Sequence, residues 1–365
     1  MKNVKRNVLQ TANYLKLALI TCLLFCSCQG NSGNQQNNTA DANTLIGAGS
    51  TFDYPLFSKQ FAEYHKTTGL KVNYQSIGSG GGILQLINKT VDFGASDAPL
   101  NEEQTHKAGA PVLHIPVTAG AVVLSYNLPG VTDTLKLSPG VLAGIFLGEI
   151  KKWNDPKLTT INPDVTLPDL DIVIVHRSDG SGTTNIFTTY LGKVSAEWGK
   201  KVGEGSSIYW PTGLGGKGNE GVAGLVKQIP GAIGYVELAY ALPNNMAIAK
   251  VQNKAGNYIF PDIASVTAAA NMQIPQDARI SLTNTDAVDG YPISGLSWII
   301  IYREQGYNKR SADKVAKLIK LTWWQIHEGQ QYSAALFYAP LSQNAVAVGE
   351  QILRSATYDG KVIIK

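Results

Sequence analysis

The chain has 365 residues, 44% hydrophobic and 16% charged, with 37 glycines and three cysteines; this composition excludes a fibre, a disulfide framework and a polytopic membrane protein. At roughly 100 to 200 residues per domain, the length suits two domains with separate cores. Of the 31 basic residues, Lys2, Lys5, Arg6 and Lys16 lie in the first 27 positions, which hold no acid, so the remainder carries as many basic groups as its 27 Asp and Glu. The formal charge of +4 therefore belongs to the N-terminus, and no run of Lys or Arg interleaved with aromatics provides a footprint for nucleic acid.

Residues 1–27 read as an export signal, with a basic start, an apolar stretch from Leu15 to Phe25 and small residues just before Cys28. That stretch is short for a membrane span, which needs roughly 20 residues. The three cysteines are Cys22, Cys26 and Cys28, so the processed body can form no internal disulfide even in an oxidising compartment. The string Phe25-Cys26-Ser27-Cys28 resembles the lipobox of bacterial lipoproteins, with Phe and Cys where Leu and Ala are common. The resemblance implies that Cys28 is diacylated and becomes the new N-terminus; an ordinary cleavage nearby is the alternative. Residues 28–43, rich in Gly, Asn, Gln and Ser, cannot bury enough surface to fold and read as a flexible tether, with an r.m.s. span of about 20 Å. The expectation is an exported protein, periplasmic or at the cell surface, held at a membrane face.

From Leu45 onward short apolar runs alternate with amphipathic stretches, the pattern of an α/β protein. Strands are predicted at residues 44–47, 70–75, 111–117, 121–126, 171–175, 232–236 and 296–302. A helix is predicted over 311–328, where Val315, Leu318, Ile319, Thr322, Trp323 and Ile326 share one stripe. Trp323 and Trp324 belong to that packing stripe and are assigned no binding role.

Three loops rich in glycine or small residues each follow a predicted strand and open a predicted helix: Gly47 to Phe52, Gly78 to Gly82, and Arg177 to Thr184. A helix start carries unpaired N–H groups and partial positive charge, and glycine admits a ligand close to them. Ser and Thr there either cap the helix or donate hydroxyls to an anion. Arg177 supplies a planar fork suited to a tetrahedral oxyanion. Asp179, two residues on, holds that fork, caps the next helix, or forms a surface ion pair of little consequence. Asp97 is the odd member, because a carboxylate should repel an anion. It makes sense if the ligand has a proton to donate: an ionised Asp only accepts, so it favours protonated phosphate over sulfate, which has none at neutral pH. Capping a helix around Asn101 is the other reading of Asp97.

The strings Gly47-Ala-Gly-Ser-Thr-Phe52, Asn73-Tyr-Gln-Ser-Ile-Gly-Ser-Gly-Gly-Gly82, Thr90-Val-Asp-Phe-Gly-Ala-Ser-Asp-Ala-Pro-Leu100, Arg177-Ser-Asp-Gly-Ser-Gly-Thr183, Trp210-Pro-Thr-Gly-Leu-Gly-Gly-Lys-Gly-Asn219 and Gly231-Ala-Ile-Gly-Tyr-Val-Glu237 together resemble the phosphate-binding proteins of bacterial high-affinity Pst transporters. The resemblance spans nearly all of the chain after the tether. It implies a periplasmic binding protein of the type II solute-binding fold, in which two α/β lobes joined by a two-strand hinge close on one phosphate and deliver it to an ABC permease and ATPase complex. It also implies a monomer that needs no cofactor or metal. By position, the implied ligand groups are Thr51, Phe52 through its backbone, Ser79, Asp97, Arg177, Ser181, Gly182 and Thr183, with Asp179 pairing the arginine from behind. The implied lobes are residues 44–124 plus 294–365 and residues 125–293, with hinges near Tyr126 and Tyr291 to Ser294. Two departures stand out: Asp53, where many members have proline, and Gly80, where a second serine is usual.

Rival classes lack their residues. Gly215-Gly216-Lys217-Gly218 has neither the spacing nor the hydroxyl of a nucleotide P-loop, and Gly213-Leu-Gly-Gly-Lys-Gly218 matches a dinucleotide fingerprint without the strand it needs before it. Neither Ser79 nor Ser181 has glycine two residues before it, as a hydrolase elbow requires. His65, His106, His114, His176 and His327 lack zinc spacing. The expectation is a binding protein and not an enzyme. A receptor for sulfate or molybdate is the nearer alternative and a phosphate-ester hydrolase the more distant one.

Overall fold

The computed structural model describes residues 43–364. The export signal, the Cys28 anchor and nearly all of the tether lie outside them.

The first third of the chain builds β1 (Thr44–Gly49), α1 (Tyr54–Thr68), β2 (Lys71–Ser76), α2 (Ser79–Ile87), β3 (Phe93–Ser96), α3 (Glu102–Ala108) and β4 (Val112–Tyr126). Next come β5 (Val173–Arg177), α4 (Gly182–Val194), β6 (Leu214–Gly216), α5 (Gly218–Gln228), β7 (Ala232–Glu237) and the short β8 (Ala247–Ile248). Later in the chain come β9 (Ser294–Tyr302), α6 (Ala312–Ile326) and α7 (Gln343–Arg354). The principal sheet has nine strands in the order β2-β1-β3-β9-β4-β7-β5-β6, with β8 also on β4. β1 pairs in parallel with β2 and β3, and β9 runs antiparallel between β3 and β4. A strand from late in the chain thus closes the first half of the sheet.

Packing explains these elements. α1 starts with proline in its first turn, ends on a left-handed Gly69, and buries Leu56, Phe57, Phe61 and Tyr64. Phe57 meets Phe61 and the edge of Tyr74 at ring separations of 5.2 and 5.4 Å. Each fully buried aromatic of this kind stabilises the fold by roughly 1.5–3 kcal/mol. α6 buries Val315, Leu318, Ile319, Leu321, Thr322 and Ile326, as its periodicity predicts. Its two tryptophans are half-buried packing residues: Trp324 lies 5.1 Å from the Tyr64 ring, and the Arg354 guanidinium lies 5.1 Å over Trp323.

β4 corrects the expectation of two strands at 111–117 and 121–126, because it runs unbroken for 15 residues and is buried from His114 to Tyr126. Thr118 to Gly120 look like an interruption in sequence, but they pair with β9 through Ser297, Leu296 and Gly295. β4 then changes partner. Ala121 is the last residue to pair with β9, and Val122 is the first to pair with β7. At the same level the returning chain is tied across: the Val122 N–H donates to Ile293 O at 2.9 Å, and Tyr291 Oη donates to Val122 O at 3.1 Å. One strand therefore serves both halves of the sheet, with a second crossing at Tyr291–Ser294. The β4–β9 register also shifts between Ser297 and Trp298, a bulge of the kind that re-aims a side chain.

Candidate anion site

The three loops converge between the two halves of the sheet, and Thr51, Ser79, Asp97, Arg177, Ser181 and Thr183 are all buried there. From the first half, the β1–α1 turn brings Ser50, Thr51 and Phe52. Ser50 Oγ donates to Asp97 Oδ1 at 2.6 Å and accepts the Phe52 N–H at 2.9 Å. The backbone of Phe52 thus points at Ser50, while its ring is buried in the core. α2 opens at Ser79 behind Gly78, whose position offers no side-chain cap. Ser79 Oγ accepts the Asp97 N–H at 3.2 Å and donates to Asp97 Oδ2 at 3.3 Å.

From the second half, Arg177 ends β5 with its side chain only 1% exposed. Asp179 grips it by both nitrogens, Nε to Oδ1 at 2.8 Å and Nη2 to Oδ2 at 2.5 Å. Arg177 Nη1 donates to Thr183 Oγ1 at 3.2 Å. Ser181 caps α4 by accepting the Thr184 N–H at 3.0 Å, which leaves its hydroxyl proton available to an anion. Asp179 therefore holds the fork and does not cap α4, and its Oδ1 also accepts the Gly218 N–H at the start of α5 at 3.0 Å. Asp97 is not a cap either, since α3 is capped by Asn101 in a reciprocal capping box with Gln104.

The halves meet through residues that the sequence pattern did not single out as site groups. Asn219, at the start of α5, donates its Nδ2 to Thr51 Oγ1 at 2.8 Å and to Thr183 Oγ1 at 3.1 Å, and its Oδ1 accepts the Glu237 N–H. Tyr240 Oη donates to Thr51 O at 2.6 Å. The Gly80 N–H donates to Gly180 O at 2.9 Å, and a Cβ on Gly80 would stand 3.0 Å from Gly180 Cα. The departure from serine at Gly80 thus coincides with close backbone approach. A Cβ on Gly182 would lie 2.5 Å from Asp97 Oδ2 and 2.5 Å from Ser79 Oγ. A cleft of about 650 Å³ opens beside the site, past Gly80, Asp97, Gly180 and Arg279.

The chain matches the family model of the PBP superfamily domain over residues 34–321. It is 43% identical over 353 residues to the phosphate-binding protein PstS of Xylella fastidiosa (strain Temecula1), covering 92% of this chain and 95% of that one. It is 46% identical over 312 residues to PstS of Pasteurella multocida, covering 84% and 89%. The chain belongs to the PstS family of the PBP superfamily. The fold agrees with solved structures of low identity: the phosphate binding protein of Stenotrophomonas maltophilia, at 18% identity and a TM-score of 0.66 over 87% of this chain and 96% of that one, and a substrate-binding protein of Clostridium perfringens described as a putative phosphate ABC transporter component, at 17% and 0.61 over 82% and 100%. The fold is the two-lobed α/β architecture expected from the sequence.

Within this PstS-family site the electrostatics are set by burial. Burial pushes the Asp97 carboxyl up to about 6, against the hydroxyls of Ser50, Ser297 and Ser79 and the charge of Arg177, which all pull it down. Burial also raises Asp53 well above the usual carboxylate range, and the neighbouring Asp97 adds to that. Glu237 is raised chiefly by burial too. Asp179 goes the other way: burial alone would raise it, but the hydrogen bonds and charge of Arg177 hold it below its ordinary value. Asp53, the departure from proline, is fully buried.

Proposed function

We propose that the protein is an extracytoplasmic receptor that binds inorganic phosphate between its lobes and hands it to an ABC importer, by binding and closure and without chemical turnover. The observation that carries the reading is Asp97, a buried carboxylate that faces Arg177 and the α4 N-terminus across the interlobe contact. A lone cation with helix N-termini and hydroxyls suits a tetrahedral oxyanion, and the carboxylate restricts it to one that keeps a proton.

In this reading Thr51, Phe52, Ser79 and Asp97 contribute from the first lobe and Arg177, Ser181, Gly182 and Thr183 from the second. Arg177 gives the charge, the hydroxyls of Ser79, Ser181 and Thr183 and the backbone N–H groups of Gly182 and Thr183 donate, and Asp97 accepts the phosphate proton. Asp179 keeps the guanidinium planar to the ligand. Because the groups are divided between lobes, phosphate favours the closed state through contacts that exist only there. The lobes are divided near residues 124 and 294, and Cys28 anchors the exported monomer to the membrane by its acyl chains.

Calorimetric titration of the phosphate-stripped body tests this. Tight one-to-one binding of phosphate with no heat from sulfate is expected. Heat from sulfate alone, or release of phosphate from an added ester, would replace the reading with the oxyanion-receptor or hydrolase alternative. Mass spectrometry of the membrane fraction checks acylation at Cys28.

A further inference from the structure

Asp53 is a departure from the family pattern, and its surroundings assign it a part. It lies at the start of α1 with no accessible surface. Among the described residues its Oδ1 has no hydrogen-bond partner, and its Oδ2 is hydrogen-bonded to Ser297 Oγ. The same Ser297 Oγ lies 2.7 Å from Asp97 Oδ1 and 3.3 Å from Ser96 O. A hydroxyl has one proton to give. If both carboxylates were ionised, one of the two contacts would set bare oxygen against bare oxygen. One of the acids must therefore carry a proton and donate it to Ser297, which then donates its own to the other.

The direction of the chain is decided by what else faces each carboxyl. Asp97 accepts from Ser50 on the β1–α1 turn, from Ser79 on α2 and from Ser297 on β9, and it feels the cationic Arg177 from the other lobe. Asp53 has only Ser297 as a side-chain donor, and around it stand Asp97, Glu237 at the end of β7, and the phenols of Tyr74, Tyr240 and Tyr338. A negative charge is better placed on Asp97.

We propose that Asp53 is a positioning residue that stays a neutral acid, donating through Ser297 so that Asp97 keeps its charge and its aim at the ligand proton. This rests on the phosphate reading for its consequence but not for its chemistry. The proton runs Asp53 Oδ2–H to Ser297 Oγ, and Ser297 Oγ–H to Asp97 Oδ1. The unpartnered Asp53 Oδ1 is then a neutral carbonyl, which tolerates burial far better than a carboxylate oxygen. Once Asp53 ionises at alkaline pH, Ser297 must serve two anions, and Asp97 loses a donor as phosphate arrives.

Infrared difference spectra of the phosphate-free protein against its Asp53→Asn variant read the proton directly, with the unchanged Glu237 cancelling. Loss of a protonated-carboxyl band is expected; loss of a carboxylate band overturns the proposal. Binding gives a second readout. Asp53→Ala should weaken phosphate at least about tenfold, and Asp53→Asn, whose amide still donates to Ser297, should restore most of it and flatten the alkaline decline expected of the wild type. An alanine variant that binds like the wild type, or an asparagine variant no better than alanine, overturns the positioning role. If the wild type binds no phosphate while the protonated band is present, the functional reading fails and the proton assignment stands.

Discussion

Replacing Asp97 by Asn should make the empty protein more stable and its ligand choice poorer, and the size of the first effect follows from the buried carboxyl. Burial lifts Asp97 from 3.8 to about 6, despite three hydroxyls and Arg177. With a raised folded-state pKa, the folded protein holds its proton more tightly than the unfolded chain does. Stability from this group is therefore fully present below pH ~4, and it is lost as pH rises through about 6. A shift of about two units corresponds to roughly 3 kcal/mol missing near neutral pH, at 1.36 kcal/mol per unit. Asn keeps an acceptor for Ser50 and Ser297 without the charge, so Asp97→Asn should recover that amount. At about 2.1 cal/mol/K of unfolding entropy per residue, a body of about 320 residues shifts about 1.5 °C per kcal/mol, so the phosphate-free variant should melt about 4–5 °C above the wild type near pH 7.5. The gap should close near pH 4, where the wild-type acid is protonated. Thermal melts of stripped protein at both pH values give the numbers, and titration with phosphate and sulfate should show the preference narrowing. A variant that is less stable near pH 7.5, or a gap that survives at pH 4, would refute the claim that the site spends stability to hold an acceptor.

Arg177→Lys exchanges a two-handed fork for a single point donor and leaves Asp179 half-served, so phosphate affinity should fall roughly 10- to 100-fold by calorimetry; a fall under threefold would remove Arg177 from the site. Gly182→Ala places a methyl carbon 2.5 Å from Asp97 Oδ2 and Ser79 Oγ, so the lobes should no longer seat, with at least tenfold weaker phosphate binding and no compaction in small-angle scattering on adding it. Asn219→Ala removes the amide that joins Thr51 to Thr183, and should weaken phosphate about tenfold while leaving the melting temperature within a few degrees; equal affinity would make Asn219 a bystander.

What could be read from the sequence was what is local. The glycine loops announce helix starts: α1 begins just past its loop, and α2 and α4 begin within theirs, at Ser79 and Gly182. The stripe from Val315 to Ile326 is a helix because its residues recur at intervals of three and four along one face. The Asn101–Gln104 capping box is also local, and its Asn-x-x-Gln spacing could have settled that Asp97 is no cap. The continuity of β4 could not be read, because Thr118, Ala119 and Gly120 form a strand only through pairing with residues about 180 positions later. Ser297 reaches Asp97 from 200 positions away, and Asn219 reaches Thr51 from 168. No spacing rule links such pairs, and a lone Ser in an apolar strand or an Asn in a glycine run gives no signal by itself. Asp53 was visible as a departure, but its protonation depends on burial and on a hydroxyl from another strand.

These long-range contacts decide how an anion can enter a site crowded with acids. Arg177 is already matched by Asp179, so the pair brings little net charge. Asp53, Asp97 and Glu237 lie close together without exposure, and were all three ionised, a phosphate would meet more negative than positive charge at a few ångströms in a medium of low polarity, where such repulsion is strong. Binding is possible if the acids share protons: Asp53 and Glu237, raised well above the usual range, stay neutral, and the one charge left is on Asp97, where a ligand proton can meet it. The attraction for phosphate then comes from N–H groups and hydroxyls that are present in the closed form before any ligand arrives. On the proposed reading this accounts for a body with no excess of basic residues, and selectivity follows from proton count. An anion that brings a proton to Asp97 gains a charge-assisted bond, and one that cannot leaves a buried carboxylate facing its own kind.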